Sequence, residues 1–224
     1  MGVWVGGLSA LSPAAWAAAL KREWLLYHLG DPRFRFMWDK PPENEWVALD
    51  CETTGLNTKT DNIIAIGAVR IRSNRVMTSE RLELLVRPDE KKSFSADSVR
   101  VHRLREQDVA QGTAADDAMM QLMTFIGSRP IVGYYLEFDI AMINRVLFPM
   151  LGMGLPQPKI EVSALYYDHK YKQLPATARD TSSIDLRFDS LMRDLDLPLW
   201  PAHDALNDAV MAALAFLKLR ELKG

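Results

Sequence analysis

Acidic side chains follow an apolar segment in a spacing that could bind a metal ion. The segment WVALD ends at Asp50, and Glu52 comes two residues later. Side chains two residues apart on a strand share one face, so the two carboxylates would project together, about 7 Å apart. A divalent cation between them would offset their repulsion, and hard oxygen ligands suit Mg²⁺ or Mn²⁺. A solvated strand end that leads into a polar turn would also explain the pair, so this motif alone decides nothing.

Two later segments carry further acids and a histidine at predicted helix starts. In VGYYLEFDIAMI a strand runs into a helix, and Asp139 lies one or two residues inside that helix. The helix dipole favours an acid there without any metal. In PAHDALNDAVMAALAFL, Asp204 is predicted as the N-cap, Asp208 lies one turn later, and His203 precedes the helix. Each segment therefore has a structural explanation as well as a chemical one.

Hydrophobic periodicity predicts the elements that must position these residues. Three closely spaced strands, 46–50, 63–71 and 81–88, suggest an antiparallel meander. The strand and helix alternation that follows indicates a mixed sheet flanked by helices. The remaining predicted elements are helices at 97–109 and 115–127, a strand at 131–135, a helix from Phe138 that stops before Pro149, and helices at 187–195 and 204–222.

The first 44 residues are predicted to form an N-terminal extension, separate from a domain that spans residues 45–224. A helix is predicted over 12–29, because Trp16, Leu20 and Trp24 recur on one helical face. Five of the six tryptophans lie in the first 46 residues, and this aromatic content argues against a disordered tail. Two interpretations remain open: the face packs against the chain's own domain, which we favour, or it docks a partner protein.

Composition limits the classes of partner and compartment. The formal net charge is -2 and the pI about 6.1, so we expect no global basic surface for long duplexes and only local nucleic-acid contacts. A single cysteine, Cys51, excludes an internal disulfide and fits a reducing compartment, so a cytoplasmic protein is expected. No uninterrupted apolar stretch is long enough to cross a bilayer as a helix, so no membrane contact is expected.

Together and in this order, the three acidic segments resemble the exonuclease motifs of the DEDD superfamily, in its histidine-bearing branch. DCETTGL is similar to the first motif, D-x-E-T-T-G, and FDIAMI is similar to the second. HDALNDA, with four residues between His203 and Asp208, is similar to the third. That branch includes the proofreading epsilon subunit of bacterial replicative DNA polymerase, RNase T and oligoribonuclease. The resemblance covers about residues 46–220 and leaves the N-terminal extension outside it.

The resemblance implies an α/β fold of the ribonuclease H-like kind, with a mixed five-stranded sheet and flanking helices. It also implies that Asp50, Glu52 and Asp208 hold one divalent cation, Mg²⁺ or Mn²⁺, and that Asp50 and Asp139 help to hold a second. His203 would be the base that takes a proton from water. The expected reaction is 3′-to-5′ hydrolysis of phosphodiester bonds by a two-metal mechanism, with release of nucleoside 5′-monophosphates.

Further residues bear on the substrate. Thr53, Thr54 and Leu56 occupy positions at which members of this family contact the terminal nucleotide, although a tight turn would also explain the sequence TTG. His102 is a candidate substrate contact, because SVRVHRLREQDV partly matches a family segment that reads HGIT. The match is partial, since Arg103 stands in place of the glycine.

One departure from the family pattern concerns Tyr134 and Tyr135. They stand where the family commonly has His and Asn, in V-x-H-N-x-x-F-D. The two rings could stack on the bases of single-stranded ends. Alternatively they could pack in the core at the end of a strand, and this is the interpretation that we favour.

The leading hypothesis is a DNA-directed exonuclease of the proofreading or repair type, which acts on single-stranded or frayed 3′ ends. An RNA-trimming enzyme of the RNase T or oligoribonuclease kind would use the same chemistry, and no motif here reports on recognition of the 2′-hydroxyl. A different class is a polymerase-linked subunit that docks DNA polymerase or another protein through the extension. A homodimer is conceivable because some relatives self-associate.

Overall fold

Five strands form one mixed sheet in the order β3-β2-β1-β4-β5. The computed structural model describes residues 13–88, 104–175, 177, 179, 183–201 and 203–223. The strands are β1 (Glu45–Thr53), β2 (Ile63–Arg72), β3 (Arg75–Leu85), β4 (Ile131–Gly133) and β5 (Lys159–Glu161). The first three pair antiparallel, whereas β4 pairs parallel with β1, and β5 pairs parallel with β4. The predicted meander and the mixed five-stranded sheet are both confirmed.

Helices cover both faces of this sheet. They are α1 (Pro13–Tyr27), a 3-10 helix (Pro32–Trp38), α2 (Glu106–Val109), α3 (Ala115–Ile126), α4 (Leu136–Leu151), α5 (Val162–Gln173), α6 (Phe188–Asp194) and α7 (Ala205–Lys223). On one face Val47 and Leu49 pack against α3 and α4, and on the other Ala48 packs against α5, α6 and α7. Because β1 is buried on both faces, its sequence is a continuous apolar run until Asp50.

A glycine brings the start of α7 close to the sheet. Gly67 of β2 is the register partner of Asp50, and a Cβ atom at Gly67 would collide with the backbone of Ala205 and Leu206. Only a residue without a side chain allows this close approach. Asp50 lies on the same face of β1 as Ala48, so the first turn of α7 comes to lie beside the acidic end of β1.

Several predicted boundaries are wrong for identifiable reasons. β3 begins at Arg75, six residues earlier than predicted, because the exposed residues of this hairpin arm lack the apolar alternation of a half-buried strand. α4 begins at Leu136 and continues through Pro149 to Leu151. A proline in the last turn removes only one backbone bond, and the helix ends instead at Gly152, whose φ is 73°.

Other differences concern short or partly described elements. β5 and α5 were not predicted, because a strand of three residues shows no period and α5 buries only Val162 and Tyr166. The strand predicted at 131–135 ends at Gly133. Of the helix predicted over 97–109, only the part from residue 104 lies within the described residues, and Glu106–Val109 is helical there.

The N-terminal extension is anchored by its second half. The predicted apolar face of α1 is open, with Trp16, Leu20 and Trp24 exposed by 58%, 66% and 60%. The expectation that this face packs against the chain's own domain is therefore wrong for these three residues. The residues that do pack lie at the end of α1, in the link that follows it and in the 3-10 helix, and they belong to the core cluster shared with α3 and α4: Leu26, Leu29, Phe34 and Met37. None of the helices in the described part of the chain has the length and hydrophobicity needed to span a membrane.

Candidate active site

The end of β1 presents two carboxylates to the first turn of α7. Glu52 is 8% exposed and Asp50 is half-buried, and both lie on the face of β1 that α7 covers. Burying a carboxylate is costly unless a partner of opposite charge compensates. The pair is therefore an unfavourable arrangement for folding alone, and a bound cation would remove the penalty.

Asp139 reaches the same region from α4. It is 4% exposed and occupies the fourth position of the helix rather than the first or second, because α4 begins earlier than predicted. Its charge raises the pKa of Asp50, which places the two carboxylates in one electrostatic cluster. We call Asp50, Glu52, Asp139 and Asp208 the acidic cluster.

Asp208 and His203 are linked at the start of α7. The backbone N–H of His203 donates to Oδ2 of Asp208 over 2.9 Å, and His203 has a left-handed φ of 69° with an exposed side chain. Oδ1 of Asp204 accepts from the N–H of Asn207 at 3.0 Å, so the predicted N-cap role of Asp204 is confirmed. Asp204 thereby turns its carboxylate to the helix backbone, while Asp208 points toward β1.

Three side chains converge closely enough to share one cation. Glu52, His203 and Asp208 each offer a ligand atom, and these atoms lie within 4.8 Å of one another. Oδ1 of Asp208 is buried and has no hydrogen-bond partner among the described residues. A buried carboxylate oxygen without a partner needs a compensating ligand. The donor set, rich in carboxylate oxygen, therefore fits Mg²⁺ or Mn²⁺.

The acidic cluster has raised pKa values throughout. Burial, followed by the charges of Asp139 and Asp208, raises the pKa of Asp50 well above its ordinary value. Burial and then repulsion from Asp208 raise the pKa of Glu52 to about 7. Burial also raises the pKa of Asp139 and of Asp208, although backbone N–H groups offset part of the effect at each. Water and protein thus solvate these charges poorly, as is common at functional sites.

We expect the metal-free protein to lose stability as the pH rises. A carboxyl whose folded pKa is raised binds its proton more tightly in the folded chain, so ionisation penalises folding between the unfolded and folded pKa values. For Glu52 this window runs from about 4.5 to about 7, and the full penalty is about 3 kcal/mol. Thermal melts in EDTA should therefore show Tm falling from pH 5 to pH 8, and Mg²⁺ or Mn²⁺ should restore it at pH 8.

The variant Glu52→Gln is the matched control for these melts, because it keeps the shape of the side chain and removes its charge. It should flatten part of the pH dependence and raise Tm at pH 8 without metal. A metal-free Tm that does not change over this pH range would contradict the electrostatic description of the cluster.

The residues after Glu52 form a closed turn. The hydroxyl of Thr53 donates to the carbonyl of Gly55 over 2.7 Å, and the hydroxyl of Thr54 accepts from the N–H of Asn62 at 2.9 Å. The turn interpretation of this segment is confirmed. Leu56 projects from the turn with 87% of its surface exposed, so it is free to contact a ligand. His102, the remaining predicted substrate contact, lies outside the described residues.

The two adjacent tyrosines, Tyr134 and Tyr135, have different environments. The hydroxyl of Tyr134 donates to the carbonyl of Leu186 over 2.8 Å, and its ring stacks on Phe188 at 4.4 Å. Tyr134 is therefore partly buried and packed against neighbouring residues at the end of β4, as the packing interpretation expects, although it belongs to neither core cluster. The packing interpretation is wrong for Tyr135, which is 66% exposed.

Glu161 supports the site, and it was not among the predicted site residues. Its carboxylate accepts from the N–H groups of Tyr135 and Leu136, at 3.1 and 2.8 Å, and so holds the start of α4. Oε1 also accepts from the N–H of Ser163 at 3.0 Å. The carboxylate thus joins the starts of α4 and α5. An acid that precedes a helix is a familiar N-cap signal, but the contact 25 residues away depends on the parallel pairing of β4 and β5.

Comparisons with known proteins identify the family to which this chain belongs. Residues 47–216 match the RNase T family model, which describes an exonuclease, so the chain belongs to this exonuclease family. The predicted resemblance to DEDD exonucleases is confirmed.

The matches to individual relatives cover different shares of the relatives' length. The chain is 26% identical over 180 residues to the PolC-type DNA polymerase III of Thermotoga maritima, a match that covers 79% of this chain and 12% of that protein. It is 21% identical over 191 residues to the DNA polymerase III subunit epsilon of Aquifex aeolicus, with 85% and 87% covered. Among solved structures, the zinc-bound complex of E. coli exonuclease I with single-stranded DNA has a TM-score of 0.67 at 16% identity, and the match covers 81% of this chain and 41% of that one. This structural likeness confirms the predicted fold class.

Proposed function

We propose that this chain hydrolyses the terminal phosphodiester bond at the 3′ end of DNA and releases nucleoside 5′-monophosphates. The observation that carries the proposal is the convergence of Glu52, His203 and Asp208 around the unpartnered Oδ1 of Asp208. Asp50 adds a charge on the same face of β1, and Asp139 adds another from α4. Membership of an exonuclease family supports the same reaction, and so does a site rich in carboxylates.

Each residue of the site has a proposed role. Asp50, Glu52 and Asp208 would hold one divalent cation, and Asp50 with Asp139 would help to hold a second. Mg²⁺ or Mn²⁺ bound there would supply an activated water and charge stabilisation for the leaving oxygen. The exposed imidazole of His203 takes the proton from the attacking water and passes it to solvent. The oxygen of this water bonds to phosphorus as the bond from phosphorus to the 3′ oxygen breaks, and the departing 3′ oxygen takes a proton from solvent to become the new 3′-hydroxyl of the shortened strand.

Substrate contacts are proposed around the same site. The exposed side chain of Leu56 would wedge against the terminal base, while Thr53 and Thr54 hold the turn whose backbone approaches the nucleotide. His102 is proposed as a further contact on the resemblance alone. Single-stranded or frayed ends fit a small contact area, because the net charge of -2 gives no broad surface for phosphates.

A DNA substrate is favoured by the relatives. Several relatives are DNA polymerase III of the PolC type or its epsilon subunit, and one of the similar solved structures is a complex with single-stranded DNA. The test is a panel of single-stranded DNA, mismatched duplex DNA and a short RNA of the same sequence, each digested with Mn²⁺. We expect faster release from DNA; faster release from RNA would make the protein an RNA-trimming enzyme.

The N-terminal extension, residues 1–44, is proposed to dock a polymerase or another protein partner. The open face of α1 supports this, as does the match of the domain to one part of a much longer polymerase chain. Removal of residues 1–21 spares the buried Leu26 and Leu29, so it should leave Tm unchanged and abolish binding to a polymerase. A truncated protein that binds as before would exclude the extension as the docking surface.

Two further properties complete the proposal. The single buried cysteine, Cys51, supports a location in the cytoplasm. Alternatively, the open face of α1 would bind a second copy of the chain. Such a homodimer would be lost when residues 1–21 are removed.

A further inference from the structure

Tyr135 lies at the edge of the sheet where the acidic cluster is found. In the parallel pairing of β1 with β4, Ala48 is the register partner of Val132. Beyond this pair, Asp50 lies two residues further along β1, and Tyr134 directly follows the last residue of β4, so both lie toward the carboxyl ends of two adjacent parallel strands. Tyr135 follows directly, at the start of the helix that carries Asp139, and most of its ring surface faces solvent.

The backbone of Tyr135 is held in a conformation that bulky residues avoid. Its φ and ψ are 53° and 32°, in the left-handed region. Asparagine enters this region readily, whereas a bulky side chain there is an outlier. The carboxylate of Glu161 fixes the strained peptide by accepting from the N–H groups of Tyr135 and Leu136. The direction of the Tyr135 side chain is therefore set by contacts with a separate strand.

The ring of Tyr135 is also supported from one side. It meets the ring of Tyr134 edge-on, with centroids 4.9 Å apart and an interplanar angle of 82°. Tyr134 is itself fixed by its bond to the carbonyl of Leu186 and by its stack on Phe188. The ring of Tyr134 is thus partly buried and fixed in place as a support, and the ring of Tyr135 is presented to solvent.

We propose that Tyr135 is a substrate-binding residue whose ring stacks on a base of the substrate strand near its 3′ end. This inference rests on the proposed function. Aromatic faces stack on every base and so bind single strands with little regard to sequence. Backbone strain that the surroundings maintain is concentrated at functional sites. A stacking role explains why a strained, exposed tyrosine occupies a position that asparagine would fill at lower cost.

The test compares Tyr135→Asn and Tyr135→Phe with the wild-type protein on single-stranded DNA. Tyr135→Asn should raise KM about tenfold, within the range that loss of one base stack produces, while kcat changes less than about twofold. Its Tm should stay equal or rise, because asparagine relieves the backbone strain. Tyr135→Phe keeps the ring and should keep the wild-type KM. As a control, Tyr167→Asn alters an exposed tyrosine on α5 and should change neither constant.

Substrates with one abasic nucleotide locate the stacked base. With the abasic site placed at each of the last three positions in turn, one placement should remove the difference in KM between wild type and Tyr135→Asn. An unchanged KM in Tyr135→Asn, or an equal KM difference for every abasic substrate, would overturn the stacking role while leaving the hydrolase intact. A loss of kcat together with a lower Tm would show that Tyr135 only supports the fold. A wild-type protein that releases no mononucleotide would instead overturn the proposed function and this inference with it.

Discussion

The variant Asp50→Ala should release mononucleotides about a thousandfold more slowly than the wild-type protein, or slower still. Asp50 is the one residue proposed to contact both cations, and it lies between the charges of Glu52, Asp139 and Asp208. Charge stabilisation by bound metal is worth several kcal/mol in the transition state, and each 1.4 kcal/mol is a factor of ten in rate. The measurement is the initial rate of mononucleotide release in saturating Mg²⁺ or Mn²⁺.

Thermal melts of the same variant separate lost catalysis from lost folding. Removing a carboxylate from a repelling cluster should leave the metal-free Tm unchanged or higher, and the increase in Tm on addition of Mn²⁺ should shrink. The exposed Asp168 on α5 provides the matched control, because Asp168→Ala should affect neither rate nor melting. Near wild-type release by Asp50→Ala would remove this residue from the proposed mechanism.

The variant His203→Ala should lower kcat by about a hundredfold to ten-thousandfold, which is the usual contribution of a positioned general base. The side chain of His203 is exposed, and one ring nitrogen lies within 4.8 Å of ligand atoms on Glu52 and Asp208, so its imidazole is the proposed acceptor of the proton from water. Imidazole added to the assay should recover part of the rate. His169→Ala, which alters a histidine on α5 bonded to Gln173, should retain full activity.

His203 also has a competing role, because its ring nitrogen lies within 4.8 Å of ligand atoms on Glu52 and Asp208. The two roles of His203, as a base or as a metal ligand, predict different results in thermal melts with Mn²⁺. If His203 is the base, His203→Ala should keep the full increase in Tm on addition of Mn²⁺ while losing kcat. Loss of that increase would identify the histidine as a ligand and leave the proton to another acceptor.

The carboxylate motifs and the sheet could be predicted from sequence because both depend on local pattern. Asp50 and Glu52 follow the apolar run of β1, which marks burial on both faces, and Asp208 lies one helical turn after the N-cap Asp204. The first three strands were found because turn residues separate them. The edge strand β3 was predicted too short, since its exposed first half carries no alternation.

The features of the site that sequence reasoning missed depend on contacts between distant segments. Glu161 acts on Tyr135 only because β4 and β5 lie side by side. The left-handed backbone of Tyr135 and the buried, unpartnered Oδ1 of Asp208 are properties of three-dimensional position. The outward face of α1 was misjudged for the same reason, because periodicity identifies an apolar face and does not say what covers it.

The most direct measurement of the proposed activity uses single-stranded DNA labelled at its 5′ end and incubated with the protein and Mn²⁺. The proposed mechanism predicts that the label stays on strands that shorten one nucleotide at a time, while unlabelled nucleoside 5′-monophosphates accumulate. Asp50→Ala should leave the strand at full length under the same conditions. Early release of the label as a mononucleotide, or a strand that never shortens, would contradict hydrolysis from the 3′ end by this site.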